Sequence, residues 1–153
     1  MTAERGLLFD GVAEEYDRVR SDYPAEIVDA ACAIAELERG SPVLEIGCGT
    51  GKLTEALALR SLHVEAVDPG ARMVDVARRR VGSSADVNFR IGRFEDLELP
   101  AGTFAAAFSA TAFHWVEPSI GWAKVADALR PGGVFALLTH AAFSPLDEPL
   151  HAV

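Results

Sequence analysis

Cysteine is scarce in this 153-residue chain, which carries only Cys32 and Cys48. The two form no CxxC pair and no disulfide framework, so both thiols are expected free in a reducing compartment. Long apolar runs are missing too. None reaches the ~20 residues that span a bilayer, and Met1 to Phe9 carry charges without the apolar stretch of a signal peptide. The expected location is the cytoplasm, with no membrane partner. Positive charge is in short supply: 14 Lys and Arg against 23 Asp and Glu leave a net charge of −9. Such a surface repels phosphate backbones and argues against nucleic acid as a partner. The basic run Arg78-Arg79-Arg80 points in three directions if helical and reads as a solvated face. The four histidines, His63, His114, His140 and His151, lack the spacing of a metal site, and no metal is expected. Repeats, low-complexity tracts and linkers are absent as well.

What is present is a chain that is 50% apolar and only 24% charged, which suits one folded domain over residues 1–153. Phe9 to Arg20 reads as an amphipathic helix. Pro24 opens a second helix, with Ile27, Ala30, Ala31, Ile34 and Leu37 on its apolar face, and Gly40 ends it. Five short apolar runs follow, Val43–Ile46, His63–Val67, Val87–Ile91, Phe104–Ser109 and Val134–Thr139. Helical patterns separate them at Leu53–Arg60, Ala71–Val81 and Ser119–Leu129. The second of these helices is expected to bury Met73, Val74 and Ala77, the third Trp122, Val125, Ala126 and Leu129. Alternating strands and helices predict an α/β fold with a parallel, doubly wound sheet and right-handed crossovers. In the third run Val87, Phe89 and Ile91 alternate with Asn88 and Arg90, as at a sheet edge. That fits the strand order 3-2-1-4-5. The domain divides into a helical cap (1–40), a core (41–140) and a tail (141–153).

The first strand runs into Gly47-Cys48-Gly49-Thr50-Gly51, and a helix follows. Glycine allows a sharp turn and a close backbone approach to a ligand, and the helix start offers free N–H groups and a positive dipole end. Dinucleotide loops usually have the spacing G-x-G-x-x-G. Here the spacing is G-C-G-T-G and Glu45 precedes it. This loop suits the amino-acid part and ribose of S-adenosylmethionine, whose ammonium favours a nearby carboxylate over a cluster of cations. Cys48 supplies a small side chain within the loop. Asp68 ends the second strand, 17 residues after Gly51. A carboxylate there can accept hydrogen bonds from both ribose hydroxyls.

At these residues the chain resembles the class I methyltransferases that depend on S-adenosylmethionine, in the small-molecule group that includes the ubiquinone and menaquinone biosynthesis type. The resemblance runs from about Phe9 to Thr139. It rests on LEIGCGTG at 44–51, AVDPGARMVDVAR at 66–78, GRFEDLELP at 92–100, FSATAFHWVEP at 108–118 and LRPGGVFALL at 129–138. FDGVAEEYDRVRSDYP at 9–24 resembles the group's N-terminal cap. The resemblance implies a Rossmann-like fold in which Gly47, Gly49 and Gly51 line the methionine part of the cofactor and Asp68 holds the ribose. Met73 would pack on the adenine, Phe94 and Glu95 would flank it, and Ser109 would sit at the mouth of the fourth strand. Tyr16 and Arg20 would close over the cofactor, Arg20 toward its carboxylate. The chain departs from the pattern at Ala105 and Arg93, where the group often has acids. It also stops at Val153, before the sixth and seventh strands of the group. The fifth strand is then an exposed edge. Three arrangements fit: a fragment, a truncated reading frame, or a protomer that covers this edge by forming a homodimer.

Methyl transfer from a sulfonium is an in-line displacement, so the protein mainly supplies position and electrostatics. His114, beside Trp115 just past the fourth strand, is the candidate catalytic base for a small-molecule acceptor, and both residues also suit a pocket wall. Two other readings stay open. One is a nonenzymatic module that binds S-adenosylmethionine. The other is an NAD-dependent oxidoreductase, against which the loop spacing speaks.

Overall fold

The structure is a computed structural model that describes residues 7–83 and 86–140. The tail 141–153, with His151, lies outside the described residues. Five strands form one sheet: β1 (Pro42–Ile46), β2 (His63–Asp68), β3 (Val87–Ile91), β4 (Phe104–Ala110) and β5 (Leu129–Leu138). Their order is β3-β2-β1-β4-β5, and every pairing is parallel. The sheet is thus Rossmann-like, as its alternating pattern predicts. β1 and β4 lie inside the sheet and are buried along almost their whole length, which explains sequences that are apolar except for Glu45 and Ser109. Edge strand β3 leaves Asn88 and Ile91 exposed.

The core divides between the two faces of the sheet. Val43, Val64, Ala106 and Phe108 pack with Leu53 and Leu57 on one face. Leu44, Ile46, Val67 and Ala107 pack with Phe113 and Val125 on the other. Phe108 is fully buried, a contribution of roughly 1.5–3 kcal/mol. The helices are α1 (Ala13–Val19), α2 (Ala25–Ile34), α3 (Lys52–Ala58), α4 (Ala71–Val81) and α5 (Pro118–Ala128). α4 buries Met73, Val74 and Ala77 as predicted.

Elsewhere the helices depart from the sequence pattern. The predicted first helix is broken: a 3-10 turn covers Asp10–Val12, and α1 begins only at Ala13. Gly11 is a poor helix former, and the Asp10 carboxylate serves another helix. Its Oδ1 accepts from the N–H groups of Arg72 (2.8 Å) and Met73 (3.2 Å), the second and third residues of α4. α2 ends at Ile34, well before Gly40. Glu36 takes φ +50° there, Leu37 N–H donates to Cys32 C=O (3.0 Å) and Glu36 N–H to Ala33 C=O (3.1 Å). This is a Schellman stop with Glu in the place usually held by glycine. The buried face of α2 is Val28, Ala31, Cys32 and Ala35, while Ile27 and Ile34 face outward. Trp122 is also exposed, not buried; it lies edge-on to Phe113 and Phe135.

Arg78 to Arg80 do not all face solvent freely. The Arg80 guanidinium is partly buried, donating to both carboxylate oxygens of Asp17 at 2.7 Å and to Thr50 C=O at 3.1 Å. Arg79 pairs with Glu14. These ion pairs and the Asp10 cap fix the N-terminal segment to the start and outer face of α4.

Candidate active site

The ends of β1, β2 and β4 meet where the chain order reverses, β1 being flanked by β2 on one side and β4 on the other. Open α/β sheets bind ligands in this crevice. The loop after β1 is tied down by Gly47 N–H and Cys48 N–H, which donate to Val67 C=O at 2.8 and 3.1 Å. Three contiguous cavities follow it, and Gly47 lines all three. The central cavity, about 340 Å³, is lined by Tyr16, Arg20, Gly49, Asp68, Met73, Thr111, His114 and Trp115 among others.

The glycines have different tasks. Gly49 has φ +54°, and a side chain there would meet nothing within 4 Å, so its backbone faces open cleft. Gly51 has φ +85° and begins α3, where a Cβ would lie 2.7 Å from Ala77 Cβ and 2.8 Å from Ala77 Cα. It permits α3 and α4 to pack closely and is not among the cleft-lining residues. Gly47 backs onto Ala112, which leaves no room for a side chain.

Two buried carboxylates flank the loop. Asp68 is only 8% exposed. Its Oδ2 accepts from Gly49 N–H (2.9 Å) and its Oδ1 from Gly70 N–H (2.8 Å). A carboxylate offers about four lone-pair positions, so each oxygen keeps one for a ligand. Burial raises its pKa to about 6, against the pull of the two N–H donors. Glu45 points to the α3 face beside Thr54, and its Oε2 has no hydrogen-bond partner. The Thr54 hydroxyl also lacks one. It lies near enough to favour the charged form of Glu45, but the two do not reach hydrogen-bond geometry. Burial dominates and, with the Asp68 charge, lifts Glu45 to about 7. Cys48 lines the cleft beside these acids. Burial and their charges push its thiol well above its usual pKa, which opposes a nucleophilic thiolate.

The cap closes one side. The Arg20 guanidinium lies over the Tyr16 ring, 5.8 Å from its centroid, and donates to the Thr111 hydroxyl. Tyr23 Oη reaches the same hydroxyl at 3.3 Å. On the opposite side a 3-10 turn, Phe113–Trp115, buries Phe113 and leaves His114 exposed against Trp115, ring centroids 4.6 Å apart. Phe94 is buried at the far end of the groove, with Glu95 beside it.

The structure thus brings Tyr16, Arg20, Glu45, Gly47, Cys48, Gly49, Asp68, Met73, Phe94, Glu95 and His114 around one groove. Ser109 sits beneath it and spends its hydroxyl on Ile46 C=O at 2.8 Å. Glu95 acts as a clamp: Oε1 accepts from Glu117 N–H (2.9 Å) and from Arg93 (3.2 Å). Burial disfavours its charge, yet these donors outweigh burial and hold its pKa below the usual value. Arg93, where an acid is common in the resembling group, thereby supports the loop that carries Trp115. Sequence reasoning missed Thr111, Tyr23 and the Asp10 cap. Thr111 has φ +50°, a costly conformation for a β-branched residue, on the order of 1–3 kcal/mol. No local pattern announces it. Asp10 reads in the sequence only as part of the helix Phe9 to Arg20, and the helix it caps lies far along the chain.

The chain is similar to known proteins. Residues 43–133, more than half of the chain, match the family model described as a methyltransferase domain. An uncharacterized methyltransferase of Mycobacterium bovis is 37% identical over 141 residues, covering 90% of this chain and 55% of that protein. A ubiquinone biosynthesis O-methyltransferase of Xylella fastidiosa is 39% identical over 97 residues, covering 61% of this chain and 39% of its own. The solved structure of a putative type II methyltransferase from Anaeromyxobacter dehalogenans superposes with a TM-score of 0.67 at 31% identity, covering 80% of this chain and 50% of that one. The chain spans about half the length of the curated relatives it matches. Glycine loop, buried Asp68, sheet order and these likenesses agree, and the chain belongs to the methyltransferase-domain family.

Proposed function

We propose that this chain is the cofactor-binding portion of an enzyme that methylates a small-molecule acceptor by in-line displacement. The supporting observation is Asp68, a buried carboxylate at the end of β2 with lone pairs left over beside an open glycine backbone. Those free acceptor positions fit the hydroxyls of a ribose. The unpartnered Glu45 Oε2 and the loop from Gly47 to Gly49 fit an ammonium-bearing amino-acid end, with Arg20 toward its carboxylate. Met73 and Phe94 fit the faces of a purine, and Tyr16 covers the middle of the groove. Glu95 flanks the purine end beside Phe94, and Gly51 and Ser109 support this surface from behind. When bound, S-adenosylmethionine supplies an activated methyl group, so the residues need only bind, orient and exclude water.

His114 lines the cleft with an exposed imidazole and is our general base for an acceptor hydroxyl or amine. Labelled methyl transfer to a panel of small phenols, amines and acids tests this. His114→Ala is expected to lower kcat about 100-fold with binding of S-adenosylhomocysteine unchanged. A variant that turns over at the wild-type rate reduces His114 to a wall of the cleft. A wild-type chain that binds cofactor and methylates nothing favours the binding-module reading. β5 is an edge strand among the described residues, and we extend the proposal to a second copy pairing there, which the solution mass reads directly.

A further inference from the structure

We propose that Thr111 is a positioning residue: from a left-handed backbone at the end of β4, its hydroxyl holds Arg20 and Tyr23 across the cleft and so fixes the cap over the cofactor. This deepens the function proposed above and rests on it.

Thr111 follows Ala110, the last residue of β4. Its own N–H continues the ladder, donating to Leu138 C=O at 2.9 Å. The backbone then turns with φ +50°, which β-branched residues avoid. The turn has two results. It directs the chain into the Phe113–Trp115 turn that presents His114, and it aims the Thr111 hydroxyl at the cap. There the hydroxyl accepts from Arg20 Nη2 and meets Tyr23 Oη at 3.3 Å. The Tyr16 ring supports the guanidinium from its other side. Glycine or asparagine would accept this backbone with less strain. A strained threonine persists where its side chain is needed, and the only polar partners of that hydroxyl among the described residues are the two cap side chains.

Arg20 is the residue through which Thr111 acts. A long guanidinium side chain loses considerable rotamer freedom when a ligand fixes it. Thr111 fixes it before the ligand arrives, so the cleft is preorganised. Removing the hydroxyl releases Arg20 and Tyr23 while leaving the core intact. Glycine at this position also relieves the backbone, so fold stability and ligand affinity should move in different directions.

Calorimetric titration of the 153-residue chain with S-adenosylhomocysteine tests this, using Thr111→Gly, Thr111→Ser, Arg20→Gln and the Thr111→Gly/Arg20→Gln double variant. Thr111→Gly should weaken binding up to about tenfold, as expected when the ligand itself must immobilise a rotamer-rich side chain, at an unchanged or higher Tm. Thr111→Ser should restore most of the affinity. In the Arg20→Gln background, Thr111→Gly should have almost no further effect. Wild-type affinity in Thr111→Gly, or full additivity with Arg20→Gln, overturns the positioning role alone. A lower Tm that accounts for the lost binding, without rescue by serine, makes Thr111 merely structural and also overturns it. A folded wild-type chain that does not bind S-adenosylhomocysteine overturns the underlying function, and the positioning role with it.

Discussion

Gly49 and Gly51 both take left-handed backbone in one loop, yet alanine should harm them in opposite ways. At Gly51 the added methyl would sit 2.7 Å from Ala77 Cβ and 2.8 Å from Ala77 Cα. The second contact is backbone on α4, so relief requires moving one helix against another. Left-handed strain adds about 1–2 kcal/mol and overpacking about 1–3 kcal/mol. The sum, about 2–5 kcal/mol, corresponds to a Tm loss on the order of 5–15 °C for a chain of this size. At Gly49 nothing lies within 4 Å of the added methyl. Only the strain remains, about 1–2 kcal/mol and a few degrees of Tm, but the methyl points into the space assigned to the ligand. Thermal unfolding and titration with S-adenosylhomocysteine separate the two. Gly51→Ala should be the less stable variant, whereas Gly49→Ala should stay folded and bind at least about tenfold more weakly, one methyl clash being worth 1.4 kcal/mol or more. Equal destabilisation, or wild-type affinity in Gly49→Ala, refutes this division of roles.

Two further changes test the supports of the site. Asp10→Ala removes the cap of α4 supplied by the N-terminal segment and should cost about 1 kcal/mol, read as a lower urea midpoint with unchanged slope. Glu45, lifted from 4.5 to about 7 in the folded chain, binds its proton more tightly folded than unfolded. It therefore leaves stability untouched below its unfolded pKa and lowers it as pH rises through the window from 4.5 to about 7. Glu45→Gln should gain stability relative to wild type across that window, by on the order of 3 kcal/mol in total. A difference between the two proteins that does not vary with pH would show that Glu45 is ionised throughout.

The sheet was legible because its signal is periodic and long. Mostly apolar runs mark β1 and β4 as covered on both faces, alternation marks β3 as an edge, and the glycine loop with Asp68 marks the ligand side proposed above. The remainder depends on single backbone torsions and distant partners. Glu36 stops α2 in a conformation that usually calls for glycine, so the glycine signal at Gly40 placed the stop too late. α2 carries apolar residues on more than one face, and the sequence pattern favoured Ile27 and Ile34 over Val28 and Ala35, which the sheet covers. Asp10 and Gly11 read as one helix start, although Asp10 caps a helix 62 residues away. Thr111 gave no signal, since its torsion contradicts its own preference. In the candidate site, the sequence pointed to residues at the strand ends and to Tyr16 and Arg20 of the cap, but not to Thr111 and Tyr23, which tie that cap to β4.

The central claim is that Asp68 holds a ribose in this crevice. Calorimetric titration of the wild-type chain and Asp68→Asn with S-adenosylhomocysteine tests it most directly, with circular dichroism to verify that both are folded. The amide keeps the shape and one acceptor oxygen but loses the charge and one of the two spare lone pairs, so binding should weaken at least about tenfold. Equal affinity in the two proteins, or no binding by a folded wild-type chain, would contradict the account.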